Sequence, residues 1–292
     1  MAEKKNGIVV GVDGSPESDA AILWATQEAV IREQPITLVH AIPPVITTWP
    51  GGLLDATYLE AQDATAHDVL EKAQKTVRVG VGESSIPKIE TRVVKSSPPW
   101  ALVEASRDAV MTVVGTRGLT AIGRAVLGSV SSGLLHHGHG PVVVVNAEYG
   151  RVADRRLPVL LGVDGSPASE SATALAFDEA SRRGVDLVAL HAWSDVGVFP
   201  ALGMDWHRYE DQGHEVLAER LAGWQEQYPD VRVHRRIVCD QPARWLVDAS
   251  QQAQLVVLGS RGRGGFAGLV LGSVAAKVAH AATVPVMIVR PR

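Results

Sequence analysis

One cysteine, three phenylalanines and four tyrosines in 292 residues leave little material for several kinds of site. Cys239 by itself excludes a disulfide within the chain and a cysteine-based metal cluster, and it suits a reducing compartment. Long apolar runs are also missing. The start MAEKKNGIVV has two lysines but passes directly into a short β-like run, so neither a signal peptide nor a membrane span is expected. Basic excess is lacking as well: the net charge of −4 gives no electrostatic footprint for nucleic acid and no attraction to a membrane surface. No Gly-Lys dipeptide occurs, which removes the phosphate-loop lysine, and neither a G-x-S-x-G elbow nor an H-E-x-x-H helix is present. The expectation is a cytoplasmic protein with neither nucleic acid nor membrane as partner.

Glycine is abundant, and it is placed in a pattern. GTRGLTAIGRAVLGS at 115–129 and GSRGRGGFAGLVLGS at 259–273 share a skeleton: Gly, two residues, Gly, nine residues, Gly, Ser. GVDGSP occurs at 11–16 and 162–167, an offset of 151, whereas the glycine skeletons and the LVEAS/LVDAS pair at 102 and 246 are offset by 144. The chain is therefore a tandem duplication whose first copy is seven residues longer in its middle. The polar stretch AEYGRVADRR at 147–156 is the expected boundary, giving domains 1–147 and 156–292.

Within each copy, short Val/Ile/Leu runs alternate with longer segments of helical periodicity. Strands are expected near 7–13, 36–41, 89–94, 110–115 and 141–146, with helices near 16–33, 55–80, 98–108 and 129–139. Second-copy strands fall near 157–164, 186–192, 232–238, 254–259 and 284–290. Continuous apolar runs such as VVVV suit strands covered on both faces, so the fold class is α/β, a doubly wound five-stranded parallel sheet in each copy. Ligands of such sheets bind beyond the carboxyl ends of the strands, where the strand order reverses.

Both glycine loops leave a fourth strand at that edge and lead into a helix at Ser129 or Ser273. A helix start offers unpaired N–H groups and the positive end of its dipole, and the turn at Gly115–Gly118 adds a second set of donors, so phosphates can be held between the two ends of the loop. Ser129 and Ser273 can cap the helix or turn a hydroxyl to the anion. Asp13 and Asp164 end the first strands. Ser15 followed by Pro16 already reads as N-cap and first helical residue, which leaves Asp13 to accept from a ribose hydroxyl or adenine amino group, or to touch a metal on the phosphates. Gly11 and Gly162 are expected to let the base approach, and Arg117 and Arg261, with Arg124 and Arg263 further on, to neutralise phosphate charge or to face solvent. GRGGFA at 262–267 matches a dinucleotide pattern but has no counterpart in the first copy and is set aside.

These motifs resemble the tandem universal stress proteins of the ATP-binding subgroup, actinobacterial in style, and the likeness covers nearly the whole chain. The resemblance implies strand order 3-2-1-4-5 and intrachain pairing of the two domains through their fifth strands, with other surfaces left for further chains, as in a homodimer. It implies two ATP sites, with magnesium on the phosphates as an option. One site would use Gly11, Asp13, Ala41, Gly115, Thr116, Arg117, Gly118, Gly128, Ser129 and Val130. The other would use Gly162, Asp164, Ala192, Gly259, Ser260, Arg261, Gly262, Gly272, Ser273 and Val274. Ala41 and Ala192 would face the adenine.

Other candidates are weaker. His40 and His191 end the second strands without a paired nucleophile, and the cluster His136, His137 and His139 has only AHAAT opposite it in the second copy. Trp24, Trp100, Trp193 and Trp245 are expected in core or interface. Two functions remain: ATP held as ligand or switch by a stress or growth regulator that is not an enzyme, or a slow ATPase or nucleotidyl transferase. Cyclic AMP or another adenine nucleotide is an alternative ligand.

Overall fold

The computed structural model describes residues 6–44, 56–81, 85–118, 127–148, 154–192, 206–262 and 271–291. The chain divides into two compact units, Met1–Gly150 and Arg151–Arg292.

In the first unit, β1 (Ile8–Gly11) leads to α1 (Pro16–Ile31), β2 (Ile36–Ile42), α2 (Ala56–Gly80), β3 (Ile89–Lys95), α3 (Pro98–Ser106), β4 (Met111–Gly115), α4 (Ser129–His137) and β5 (Val142–Val145). The strand order is β3-β2-β1-β4-β5, all parallel, with Ile8 opposite Ile36 on one side and Met111 on the other. Ile8, Val9 and Val10 are fully buried, as expected where helices cover both faces of a sheet.

The second unit repeats the plan: β6 (Val159–Val163), α5 (Pro167–Arg183), β7 (Leu187–Ala192), α6 (Trp206–Gln227), β8 (Val233–Val238), α7 (Pro242–Ser250), β9 (Leu255–Gly259), α8 (Ser273–Ala281) and β10 (Val286–Val289). Its order, β8-β7-β6-β9-β10, is again third, second, first, fourth, fifth. Since β1 has β2 on one side and β4 on the other, chain direction across the sheet reverses between β1 and β4. The crevice at their carboxyl ends receives the turn after β1 and the glycine loop after β4.

α1 and α5 start alike. Ser15 and Ser166 are the N-caps, each accepting the N–H three residues on (Ser18, 3.1 Å; Ser169, 3.2 Å), and a proline follows each cap. Both helices also bury a carboxylate near their ends. Glu28 and Glu179 are fully buried, and each pairs with the arginine four residues on, Arg32 and Arg183; the second pair measures 2.9 Å.

Trp24 is in the core. Trp100 is not: it is 64% exposed, because the α3 start turns it outward, and it stacks on His137 with ring centroids 6.0 Å apart. Trp245 is half-buried under the Arg236 guanidinium, and Trp193 lies outside the described residues. No described helix is long and apolar enough to cross a membrane.

Candidate functional site

The crevice of the first unit is closed at its floor by a small hydrogen-bonded turn. Asp13 follows β1, and its Oδ1 accepts both the Ser15 N–H (3.0 Å) and the Ser15 hydroxyl (2.6 Å), while the Asp13 N–H donates to Ser18 Oγ (3.3 Å). In the second unit Asp164 Oδ1 accepts the Ser166 N–H (2.9 Å), and the Ser166 hydroxyl instead donates to the Arg261 carbonyl (3.0 Å). The expectation that these carboxylates have no duty in the turn is thus corrected. An Asp two residues before the cap holds the cap in place through one oxygen, as Asx turns do. The other oxygen, Oδ2, faces the glycine loop: Asp13 Oδ2 stands where a Cβ on Gly118 would be, and Asp164 Oδ2 is 2.5 Å from that point on Gly262.

The loop has a neck. Thr116 N–H continues the sheet by donating to Val145 O (2.9 Å), and Thr116 O accepts the Gly128 N–H (2.8 Å), so the chain returns to its starting point before entering α4. Ser260 and Gly272 repeat the closure at 2.7 Å. Gly128 and Gly272 are themselves the N-caps, with extended backbone and no side chain to cap with; Ser129 and Ser273 stand one place later, exposed. The capping role expected of these serines therefore falls to the glycines. The first-turn N–H groups of Ser129, Val130 and Ser131, and of Ser273, Val274 and Ala275, precede the first intrahelical acceptor. In the first unit Ser131 Oγ lies 3.0 Å from both the Thr116 and Gly128 carbonyls. Ala275 replaces it in the second, and there the buried Ser260 hydroxyl has no partner among the described residues.

Three glycine pairs prove to have different reasons. Gly115 and Gly259 let the first turn of α1 or α5 lie on the end of the fourth strand: a Cβ would stand 2.8 Å from the Glu17 carbonyl carbon in one unit and 2.7 Å from the Ser169 nitrogen in the other. Gly11 and Gly162 do not open a way for a base, because the side a Cβ would occupy is filled by leucines, Leu102 Cδ1 at 2.5 Å in the first unit and Leu258 and Leu246 in the second. Gly118 and Gly262 alone meet a polar group of the crevice, the aspartate.

Ala41 and Ala192 are half-exposed at the ends of β2 and β7, beside the crevice, and Arg117 and Arg261 follow the necks. Arg124 and Arg263 lie outside the described residues. Both strand-end histidines brace the floor: His40 Nδ1 is 2.8 Å from Val12 O, and His191 Nδ1 is 2.7 Å from Val163 O. An imidazole bonded to a carbonyl in this way carries its proton on Nδ1. His136 Nδ1 is likewise taken by Ser132 O (2.7 Å), and no group of three metal-ligating side chains occurs among the described residues.

Sequence comparison fits this doubled architecture. The universal stress protein family model matches residues 6–146 and again 156–290. A universal stress protein of Mycolicibacterium smegmatis is 57% identical over 286 residues, 98% of this chain and 97% of the relative. One from Mycobacterium tuberculosis is 48% identical over 288 residues, covering 98% of each. Among solved structures, a universal stress protein of Archaeoglobus fulgidus superposes with a TM-score of 0.74 at 21% identity over 100% of both chains, which supports the fold. With the family model matched in each half and relatives alike along nearly their whole length, the chain belongs to the universal stress protein family, as a tandem of two such domains.

Proposed function

We propose that each unit binds one adenine nucleotide, ATP, and that the protein acts as an ATP-liganded regulator and not as a catalyst of ATP turnover. The observation that carries this reading is the doubled neck, which returns the chain to the start of a helix and leaves first-turn N–H donors at the mouth of the crevice. Phosphates suit that end, with Arg117 or Arg261 beside it. Ribose or adenine donors suit the other end, where Asp13 or Asp164 presents an oxygen against Gly118 or Gly262. The orphaned Ser260 hydroxyl is a buried polar atom that a bound ligand or its water could satisfy. Magnesium fits as a companion of the phosphates, held by them with one carboxylate, since no group of three metal-ligating side chains occurs among the described residues.

Catalysis would need a group that acts in the transition state. His40 and His191, the nearest general-base candidates, have Nδ1 committed to main-chain carbonyls that brace the floor. Nucleotide extracted from purified protein and identified by mass spectrometry tests the ligand, and phosphate release under multiple turnover tests the role. Two ATP per chain with no release beyond stoichiometry is expected. Cyclic AMP in the extract would reassign the ligand, and sustained release would make the protein an ATPase.

A further inference from the structure

Three positions around the two crevices carry different charge, although the repeats pair them residue for residue. The offset of 151 that relates the two GVDGSP motifs pairs Glu17 with Ala168 and Val69 with Arg220, and the offset of 144 pairs Asn146 with Arg290. The structure puts each pair in equivalent surroundings. Glu17 packs on Gly115 as Ala168 packs on Gly259. Val69, on α2, reaches to 3.6 Å from the place of a Cβ on Gly14, in the turn between Asp13 and Ser15. In the second unit that place, on Gly165, is covered by the Arg220 guanidinium from α6, whose Nη2 lies 2.5 Å from it and whose carbon and other nitrogen lie as close.

The guanidinium therefore lies flat over the turn next to Asp164. Gly165 is required there by its φ of +75°. Arg220 makes no ion pair with a described residue.

The third pair flanks the necks. Asn146 follows Val145 and turns its Oδ1 to the Glu148 N–H (3.1 Å), whereas Arg290 follows Val289, whose carbonyl accepts the Ser260 N–H at 2.7 Å. Burial, and then the charge of Arg261, pull the Arg290 pKa below the usual arginine range.

At these three positions the second crevice is more positive than the first by three charges, one acid being lost and two arginines gained. The glycine loops do not offset this, since 119–126 and 263–270 each contain one arginine and no acid, whereas the segments after β2 and β7 offset one charge, with one acid at 43–55 and two at 193–205. Lys95 and Ser96 against Cys239 and Asp240 run the other way, but at the ends of β3 and β8, two strands from β1 and β6. Two strand spacings are about 10 Å, so these charges act on the crevice from further away and more weakly than those beside the turn and the neck.

We infer that the two nucleotide sites are unequal, the second being the stronger site for polyanionic ligands and filling with ATP first. The inference rests on the adenine-nucleotide reading above and adds which unit answers to phosphate charge.

Hydrogen-exchange mass spectrometry of the full nucleotide-free chain, titrated with ATP, reads each site separately through the starts of α4 and α8. At low salt α8 should reach half-protection at about tenfold less ATP than α4, and the gap should narrow as salt is raised. Adenosine, which lacks phosphate, should show no gap. R220V combined with R290N, which installs the first unit's residues, should bring the two midpoints together, and E17A should move the α4 midpoint toward that of α8. Equal midpoints for wild type at low salt, or a gap that the R220V/R290N variant leaves intact, would overturn the inference while the nucleotide reading stands. Absence of protection at both helices up to millimolar ATP would overturn the nucleotide reading itself, and the ranking with it.

Discussion

Gly115 and Glu17 touch backbone to backbone: the end of β4 lies so close under the first turn of α1 that a Cβ on Gly115 would stand 2.8 Å from the Glu17 carbonyl carbon and 2.9 Å from its oxygen. Main chain cannot swing aside as a side-chain tip can. Gly115→Ala should therefore act first on the fold, costing about 1–3 kcal/mol through displacement of α1. Thermal unfolding without nucleotide reads it; an unchanged Tm together with weakened ATP binding would show that the space belongs to the ligand.

Gly118→Ala should do the opposite. Its Cβ meets the Asp13 Oδ2, a side-chain tip and not main chain, so what must give is at most the Asp13 hold on Ser15, and Gly118 lacks the positive φ that would strain alanine. Stability should fall by no more than the loosened cap costs, about 1 kcal/mol. ATP affinity of the first unit should fall, measured by calorimetry against wild type.

Asp13→Ala and Asp13→Asn should part company. Alanine loses the acceptor for the Ser15 N–H and hydroxyl, loosening the α1 cap at a cost of about 1 kcal/mol. Asparagine keeps a carbonyl oxygen at Oδ1, so its Tm should stay near wild type. Both should lower ATP retention at the first site, because both remove the charge. If asparagine retains ATP normally, the aspartate serves the turn alone.

Arg183→Ala should be the most damaging of these changes. It takes the arginine from the fully buried Glu179 carboxylate, and losing one partner of a buried pair costs about 3–5 kcal/mol. Denaturant titration checks this, and Glu179→Gln combined with Arg183→Met should recover most of the loss.

The parallel sheets were legible because their strands are unbroken apolar runs and because each copy checks the other. VVVV at 142–145 lies within the span expected for it, and α2 starts within one residue of its expected position. The double duty of Asp13 was local enough to read: Asp, Gly, Ser is an Asx-turn sequence, hidden by the assumption that Ser15 caps without help. The role of Gly115 was not local. Its missing Cβ answers to α1, nearly a hundred residues earlier in the chain, and only packing reveals that. Arg220 left a trace in the alignment of the repeats, where it falls opposite Val69, but nothing in the sequence places it over Gly165.

The neck of each glycine loop separates two problems that a chain usually solves together. With Gly128 bonded back to Thr116, the register of β4 and the starting angle of α4 are fixed outside the loop, as they are at Ser260 and Gly272. Of the eleven residues at 117–127, four recur at 261–271, yet the two necks differ by 0.1 Å, from 2.8 to 2.7 Å. A closed neck turns the segment into an exchangeable cassette. Loop closure is a weak function of length, doubling a loop costing about 0.6 kcal/mol, so inserts can change what is recognised while the strands and helices on either side keep their positions.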